Sequence, residues 1–586
     1  MSRSRTLRGK QRVILGSLIV VIVGVGLGIA AARSQGSAHN APGMEVIARN
    51  ARNTRVLLEI LRGQVPSTIE QYVTFGDPTG KVSTYQPFGP TTTASNAFFS
   101  SDITTNGRTC FTCHQPQNGW EISPPQIHAQ FLLTRGRSAL FQPIDAADCP
   151  SSPGAVARFP DRRFVTARTQ LFKRGNFRIG LNAPNPLGPK DASFTTFDGN
   201  TNPEWVLTVE HDPLGCELDP EHGLLANLIS VYRRPLPSAN VAFLAQNGVE
   251  AKFDIMWDAR EPNLQTQFIN ATLFHGQTTS EPDADSQAQG VRFQSGMFTG
   301  QSYDNRAGDL TGGDGSGVLG GPTNLYDWRQ SSAPACSLSP LGALVCLGIK
   351  VKQTLPAPVT LPDGTVLLDA NGNARSLSVN VASALYAGFA TPTTGNWARK
   401  AQRESIARGE AIFSGKVFII NKVAGLNDIK NDADGTEPGT CSTCHSSKNV
   451  VNDTAADPKR LGIMDNSSGV NVMPATADFP QFGFYCPTGS IPFFSNPVTS
   501  SSCPGGGGTC DKFVTTDPGK GLITGKCQDL GKMKVPILRG LASRAPYFHG
   551  GNAATLKDLV AFYNSRFNIQ LTEQEKADLI NYLNSL

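Results

Sequence analysis

The sequence predicts a mainly α-helical chain with two similarly organised domains and extensive loops. The pattern Cys-x-x-Cys-His occurs at 110–114 and again at 441–445, and a segment with helical character precedes each copy. The chain has 586 residues, which is too long for one ordinary domain. Its 59 glycines and 40 prolines exceed average usage, which indicates long ordered loops beside the helices.

The N-terminus predicts export. A basic flank, MSRSRTLRGKQR, precedes an uncharged apolar run over residues 13–32. Signal-peptide cores are about 7–15 residues long and membrane-spanning helices about 20, so the length favours an uncleaved anchor, although AAARSQ also fits a cleavage site. Residues 1–33 are therefore a signal anchor or a signal peptide. The rest of the chain is expected in the periplasm, anchored to the inner membrane or secreted.

Local composition divides the chain after the N-terminal segment into two domains and an insertion. Residues 44–300 form the expected N-terminal domain, and residues 396–586 form the C-terminal domain. Between them, residues 301–395 are rich in Gly and Thr and predict a loop-rich insertion. Within the insertion, LPDGTVLL carries an Asp-Gly hairpin signal.

Helix signals are clearest in the second domain. The segment WARKAQRESIARGEAIF predicts its opening helix. Thr555 precedes an apolar pattern with helical spacing, and Thr572 with Glu575 forms a capping box before the last helix. The domain is therefore expected to close with two helices.

Cysteine usage agrees with export. Four of the 12 cysteines belong to the two Cys-x-x-Cys-His motifs, and the other eight are an even number, which suggests disulfides. Spacing alone does not select a connectivity. The close pairs Cys336 with Cys346 and Cys503 with Cys510 are the simplest candidates.

The two motifs predict covalent haem. Two thiols on one turn can bond the haem vinyl groups, and the adjacent His then reaches the iron as proximal ligand. A zinc ribbon needs a second ligand pair nearby and a thioredoxin-like dithiol needs a βαβ context, and neither accompanies these motifs. The expected cofactors are two covalently bound haem c groups. Their attachment residues are Cys110, Cys113 and His114, and Cys441, Cys444 and His445.

The charge pattern excludes one class of partner. The net charge is +5, which is small for this length. No basic stripe with interleaved aromatic residues and no nucleic-acid motif occurs, so no nucleic-acid partner is expected.

The segment KMKVPILRGLASRAPYFHGG, which follows the second motif, resembles the bacterial di-haem cytochrome c peroxidase and MauG family. The resemblance covers both haem segments, MWDARE and the last sixty residues. It implies two cytochrome c-like haem domains. The N-terminal haem would react with hydrogen peroxide or oxygen, and the C-terminal haem would relay electrons from a small redox protein. Trp257 would lie between them.

The resemblance also implies distal residues at the N-terminal haem. Gln267 matches the distal-pocket Gln of the family. The family's catalytic Glu is Gln277 here, and a neutral amide cannot act as a base. His275 is the candidate substitute, and His128 is a further distal candidate. The family's calcium site is a weaker expectation, because the Thr before the APYFH segment is replaced by Arg544.

Three residues compete as sixth ligand of the C-terminal haem. Tyr563 matches a ligand position of the family, where the peroxidases have Met and MauG has Tyr. A phenolate would stabilise ferric iron relative to a thioether, because the axial ligand tunes the couple. His549 and Met533 are the alternatives. Tyr563 also fits an ordinary core position on the apolar face of its helix.

The sequence therefore predicts a haem-dependent peroxidase-type oxidoreductase. Two other functions stay open. One is a pure electron-transfer cytochrome, and the other is a di-haem oxygenase of the rubber-oxygenase type. The missing distal carboxylate keeps both in consideration.

Overall fold

The structure is a computed structural model of the chain. It describes residues 52–184, 202–244, 255–327, 351–369, 371–381, 384–428, 436–445 and 477–586, with short stretches at 199, 336–338, 344–346 and 460–461. The predicted export segment at 1–33 lies outside the described residues. In the part of the chain that the structure describes, no helix has the length and apolar character to cross a membrane.

The longest helices lie in the C-terminal half. The α-helices are α1 (described over 52–61), α2 (Pro124–Thr134), α3 (Pro143–Ala146), α4 (Arg163–Thr166), α5 (Thr169–Arg174), α6 (Leu264–His275), α7 (Ala284–Ser295), α8 (Pro322–Tyr326), α9 (Trp397–Gly415), α10 (Lys520–Thr524), α11 (Leu556–Arg566) and α12 (Glu573–Ser585).

Strands run through the whole described chain. They are β1 (Thr68–Ile69), β2 (Tyr72–Gly76), β3 (Gly80–Tyr85), β4 (Thr91–Thr92), β5 (Phe177–Asn182), β6 (Val206–His211), β7 (Leu228–Arg233), β8 (Phe298–Asp304), β9 (Gly308–Asp309), β10 (Cys336–Leu338), β11 (Leu344–Cys346), β12 (Val351–Leu355), β13 (Leu377–Val381), β14 (Phe418–Asn421), β15 (Thr436–Gly439), β16 (Arg460–Leu461), β17 (Gln481–Cys486), β18 (Pro497–Ser500), β19 (Gly508–Thr515) and β20 (Met533–Lys534).

The prediction of a mainly α-helical fold is therefore wrong: helices and sheets share the chain. Among the described residues, two four-stranded sheets accompany several two-stranded ones. The strands are short. Some pair with the next strand along the chain, as β2 does with β3, and others pair with a strand far away in sequence, as β3 does with β8. Ser83 on β3 and Ser302 on β8 lie 219 positions apart, yet their hydroxyl oxygens are 2.7 Å apart. Such pairing depends on tertiary contacts that a local pattern does not contain.

One four-stranded sheet joins strands from both predicted domains. Its order is β18-β19-β17-β6, so β6 from the N-terminal half pairs antiparallel with β17 from the C-terminal half. The strands of the other four-stranded sheet, β2-β3-β8-β9, all lie in the first 310 residues of the chain. The domain limits given above stay predictions, and the shared sheet shows that the two halves pack as neighbours.

The helices predicted from capping signals are confirmed. Helix α11 begins after Thr555, which accepts a hydrogen bond from Asp558 N, and α12 begins after Thr572, which accepts one from Glu575 N. In the insertion, Leu361 N donates to Thr365 O across the Asp-Gly turn, as the hairpin signal predicts. Helix α9 packs along α12 and closes the core of the C-terminal half.

Three disulfides are present in the described chain. They join Cys149 to Cys216, Cys486 to Cys527, and Cys503 to Cys510. The predicted pair Cys503–Cys510 is confirmed. The antiparallel register of β10 and β11 sets Cys336 opposite Cys346, and their bond stays a prediction. The four cysteines of the two Cys-x-x-Cys-His segments form no disulfide.

Candidate functional site

The two Cys-x-x-Cys-His segments have the same local structure. Each forms one 3₁₀ turn, Cys110–Thr112 and Cys441–Thr443. Both read Thr-Cys-x-Thr-Cys-His, and the hydroxyl of the second Thr accepts a hydrogen bond from the backbone N–H of the first, at 3.0 Å and 2.9 Å. Each turn therefore carries its own cap, and both segments present two thiols and one imidazole in one arrangement.

The first segment opens into a cavity, named here the N-terminal cavity, of about 1300 Å³ including its mouth. Cys110, Cys113 and His114 line it. The Nδ1 atom of His114 lies 3.0 Å from the carbonyl oxygen of Trp120, which fits an Nδ1–H donor and leaves Nε2 for the cavity. Burial lowers the pKa of His114 to about 4, so the imidazole is neutral and able to coordinate a metal near pH 7.

One face of α6 forms a second wall of the N-terminal cavity. Its lining residues recur at intervals of three and four positions, as one side of a helix requires. They are Leu264, Gln267, Phe268, Ala271, Thr272 and His275. The amide oxygen of Gln267 is buried and accepts no hydrogen bond within the described chain. It is therefore available to a molecule held in the cavity.

Gln277 does not reach this cavity. Helix α6 ends at His275, and Gln277 follows with a φ of 57° and an exposed side chain. Its Oε1 accepts a hydrogen bond from Asn106 Nδ2 at 3.2 Å. Gln277 therefore lies outside the lining of the N-terminal cavity. His275, two turns after Gln267 on the same face, is the residue that reaches the cavity.

His128 also lies elsewhere. It sits on α2 and its Nε2 is 3.1 Å from the carbonyl oxygen of Phe172, with the two rings 5.1 Å apart. Burial lowers the pKa of His128. It does not line the N-terminal cavity, so it holds α2 against α5 and is not a distal group.

The second segment opens into the C-terminal cavity, of about 1540 Å³ including its mouth. Cys441, Cys444 and His445 line it beside Met533 and Tyr563. Burial, with a smaller contribution from the two thiols, raises the pKa of Tyr563. Its hydroxyl has no hydrogen-bond partner among the described residues, so it faces the cavity. Two of the three predicted sixth-ligand residues are thus at hand.

His549, the third candidate, does not line either cavity. Its Nε2 lies 3.7 Å from Asp517 Oδ2, and its ring packs edge-on against Trp257 at 6.0 Å. It therefore belongs to the buried structure between the cavities.

Trp257 stands between the two cavities. Together with Arg234 and Leu236 it lines both of them. Its indole Nε1 donates to the carbonyl oxygen of Arg234 at 2.9 Å, and its own carbonyl accepts from Lys534 N at 2.8 Å. The ring is thus fixed from both halves of the chain, in a wall that separates the cavities by a few side chains.

A buried ionic cluster holds the segment that carries Trp257. Arg233 binds Asp258 at 2.5 Å and Asp517 at 2.6 Å, and Arg260 binds Asp258 at 2.8 Å. Burial by itself raises the pKa of Asp258, but Arg260 and Arg233 outweigh it and lower that pKa to about 2. The cluster ties β7, the Trp257 segment and the loop after β19 together.

This cluster predicts a loss of stability in acid. A carboxyl with a lower pKa in the folded state stabilises the fold above its unfolded pKa of about 3.9, and the contribution disappears as the pH falls through the folded pKa. The denaturant midpoint should therefore drop between about pH 4 and pH 2. Chemical unfolding at each pH measures it, and Asp258→Asn should flatten the drop. An equally steep drop in that variant would contradict the assignment.

Both cavities fit a covalent haem. Each is a largely apolar space lined by one imidazole and by two thiols that form no disulfide. The N-terminal cavity adds the buried amide oxygen of Gln267, which accepts no hydrogen bond within the described chain. Calcium has less support. No group of three metal-binding side chains occurs in the described part of the chain. Arg544 instead pairs with Glu121 at 2.6 Å.

Sequence reasoning missed two groups at these walls. Asp145 on α3 lines the N-terminal cavity and lies 2.9 Å from His275 Nδ1. Glu121 lines the C-terminal cavity and binds Arg234 at 3.2 Å as well as Arg544. Neither carboxylate stands in a motif. Glu121 follows His114 by seven positions but lines the other cavity, so its place in the sequence gave no signal for this role.

Over part of its length the chain is similar to a cytochrome-c peroxidase. The chain is 36% identical over 93 residues to cytochrome-c peroxidase IdrP1 from Denitromonas iodatirespirans. The match takes in 14% of this chain and 25% of that protein, so the chain spans about a quarter of the length of this relative.

A solved structure is also similar, but weakly. The crystal structure of a MauG-like protein associated with microbial copper homeostasis is 21% identical and covers 31% of this chain and 43% of its own. Its TM-score of 0.18 is too low to indicate a shared overall fold. No protein-family model matches the chain.

Proposed function

We propose that the chain is a di-haem c-type oxidoreductase that reduces hydrogen peroxide, or activates oxygen, in the N-terminal cavity with electrons relayed through the C-terminal cavity. One observation carries the proposal: two cavities, each lined by a Cys-x-x-Cys-His segment, meet at a common wall that contains Trp257. The partial similarity to a cytochrome-c peroxidase supports the same chemistry.

The residues that line the two cavities have different roles in this reaction. Haem held at each segment supplies a redox-active iron. His114 offers Nε2 as the proximal ligand, while the carbonyl of Trp120 fixes the orientation of its ring. The Gln267 amide can hold a small oxygen compound by hydrogen bonding on the side of α6. Trp257 bridges the cavities, and the surrounding apolar walls limit access of water.

Partner and location follow from the same proposal. A small redox protein is the expected electron donor. The basic, apolar N-terminus supports export to the periplasm, with residues 13–32 as an inner-membrane anchor or a cleaved signal.

The function is tested by electron stoichiometry. Reduction of one hydrogen peroxide to two waters consumes two electrons and two protons. A fully reduced di-haem protein should therefore lose two electrons per peroxide, measured by anaerobic titration with optical detection. Reduced protein that is not reoxidised by peroxide would favour a pure electron carrier.

The relay haem gives a separate prediction. Tyr563→Phe should change the low-spin haem spectrum, because removal of the phenol oxygen removes the proposed sixth ligand. Electronic and EPR spectra measure this change. Tyr547→Phe is the matched control: Tyr547 lines the same cavity, but its hydroxyl donates to Leu541 O at 3.0 Å. If both variants keep the wild-type spectrum, Tyr563 is a core residue and Met533 becomes the candidate.

A further inference from the structure

The N-terminal cavity lacks the carboxylate that a peroxidase of the resembled family would carry at position 277, yet an imidazole and a carboxylate meet on its wall. His275 ends the cavity-lining face of α6, and its Nδ1 lies 2.9 Å from Asp145 Oδ2. The His275 side chain is 36% exposed, whereas that of Asp145 is 10% exposed. The imidazole therefore stands at the mouth of the cavity and the carboxylate behind it.

Asp145 is fixed from a second direction. Arg108, two residues before Cys110, binds the same Oδ2 atom of Asp145. Its guanidinium is itself anchored, since Nε donates to Ala139 O at 3.1 Å and Nη2 to Gln142 O at 3.0 Å. Burial alone raises the pKa of Asp145, but His275 and Arg108 outweigh it and lower that pKa. Asp145 is therefore an ionised acceptor.

This arrangement determines which imidazole nitrogen is free. A carboxylate at Nδ1 favours the tautomer that carries its proton there, which leaves Nε2 as an acceptor. No hydrogen bond to Nε2 occurs among the described residues. An imidazole that is oriented by a buried carboxylate and has its other nitrogen unbonded is the arrangement that general acid–base catalysis requires.

We propose that His275 is the acid–base group of the N-terminal cavity, with Asp145 as its positioning residue and Arg108 holding Asp145. The inference rests on the proposed reaction with hydrogen peroxide. His275 Nε2 takes the proton from one peroxide oxygen and returns it to the other. As the O–O bond breaks, its electron pair leaves with the protonated oxygen as water. Two electrons from the redox-protein donor and two protons convert the remaining oxygen to the second water.

The geometry also explains the departure at position 277. A residue there lies past the end of α6 and turns toward Asn106. An acid–base group has to come from the helix face itself, and His275 is the titratable side chain on that face.

The test uses the haem-loaded protein and two probes. His275→Gln should slow the reaction with peroxide by about 100-fold or more, since a positioned proton-transfer group contributes about 10²–10⁴-fold. Cyanide is the second probe, because hydrogen cyanide must lose a proton as it binds ferric haem. Its association rate should fall by about 10–100-fold in the same variant.

Asp145 needs its own variants. Asp145→Asn should slow both reactions by about 10–100-fold, the usual effect of an outer partner, while Asp145→Glu should restore part of the rate. Loss in Asp145→Asn without recovery in Asp145→Glu, combined with a changed resting spectrum, would indicate a structural role and overturn the assignment. His128→Gln, outside the cavity, is the control and should leave both rates unchanged.

Three results separate the possibilities. Unchanged peroxide and cyanide rates in His275→Gln would overturn the inference. A change from low-spin to high-spin haem in that variant would also overturn it, because His275 would then be an iron ligand. If the wild-type protein ignores peroxide but cyanide binding still depends on His275, the proposed function fails and the proton-transfer role stands.

Discussion

His114→Gly is expected to lower the rate constant for reaction with hydrogen peroxide by more than about 100-fold, because outer partners of a metal ligand alone contribute about 10–100-fold. His114 is the proposed ligand itself. The N-terminal haem should stay attached, since its attachment depends on Cys110 and Cys113. Rapid-mixing absorbance gives the rate, and the haem-to-protein ratio gives the attachment.

Two controls make this result specific. Added imidazole should restore part of the rate, because the substitution leaves room for it on the proximal side. His211→Gly, on the exposed end of β6, should behave as wild type. The low-spin spectrum of the C-terminal haem reports folding in each variant. A wild-type peroxide rate in His114→Gly would place the reaction at another site.

Arg233→Met should lower the free energy of unfolding by about 3–5 kcal/mol, the usual result when one partner of a buried ion pair is removed. The side chains of Arg233, Asp258 and Asp517 are 4%, 0% and 3% exposed. Without Arg233, the remaining ion-pair partner of Asp517 in the described chain is His549 at 3.7 Å. Burial lowers the pKa of His549 to about 4, so its imidazole is neutral near pH 7 and does not balance the Asp517 charge. Denaturant unfolding of the haem-loaded protein measures the loss.

The matched control is an exposed pair of the same chemistry. Arg163 lies 2.7 Å from Asp161, and its side chain is 67% exposed. Arg163→Met should leave stability unchanged within error, because exposed pairs contribute little. The triple variant Arg233→Met, Asp258→Asn, Asp517→Asn should recover much of the loss, since it leaves no unpaired charge. Equal effects of Arg233→Met and Arg163→Met would contradict the role of the cluster.

Helices and disulfides could be predicted from the sequence where a short local pattern specifies them. Helices α11 and α12 begin at capping boxes, and the disulfide Cys503–Cys510 closes a short loop. Most strands were missed because they are short, and some of them pair over long distances, as β6 does with β17. The partners of these distant strands depend on contacts that no window of sequence contains.

In the candidate site, too, some residues could be predicted from the sequence and others could not. The proposed attachment residues belong to a motif with a defined spacing of two cysteines and a histidine, so they could be named from the sequence. Gln277 was misplaced because matching by position ignores the end of α6, where the chain leaves the helix. The contact between Asp145 and His275 could not be predicted, because Asp145 lies on α3, which is far from His275 in sequence and carries no motif.

In the proposed function, one haem reacts while the other relays electrons. The EPR spectrum of the resting ferric protein, before and after addition of hydrogen peroxide, tests this division most directly. We expect one high-spin haem with an open distal position and one low-spin haem, with the high-spin signal lost on addition of peroxide. Two low-spin haem signals that peroxide leaves unchanged would contradict it.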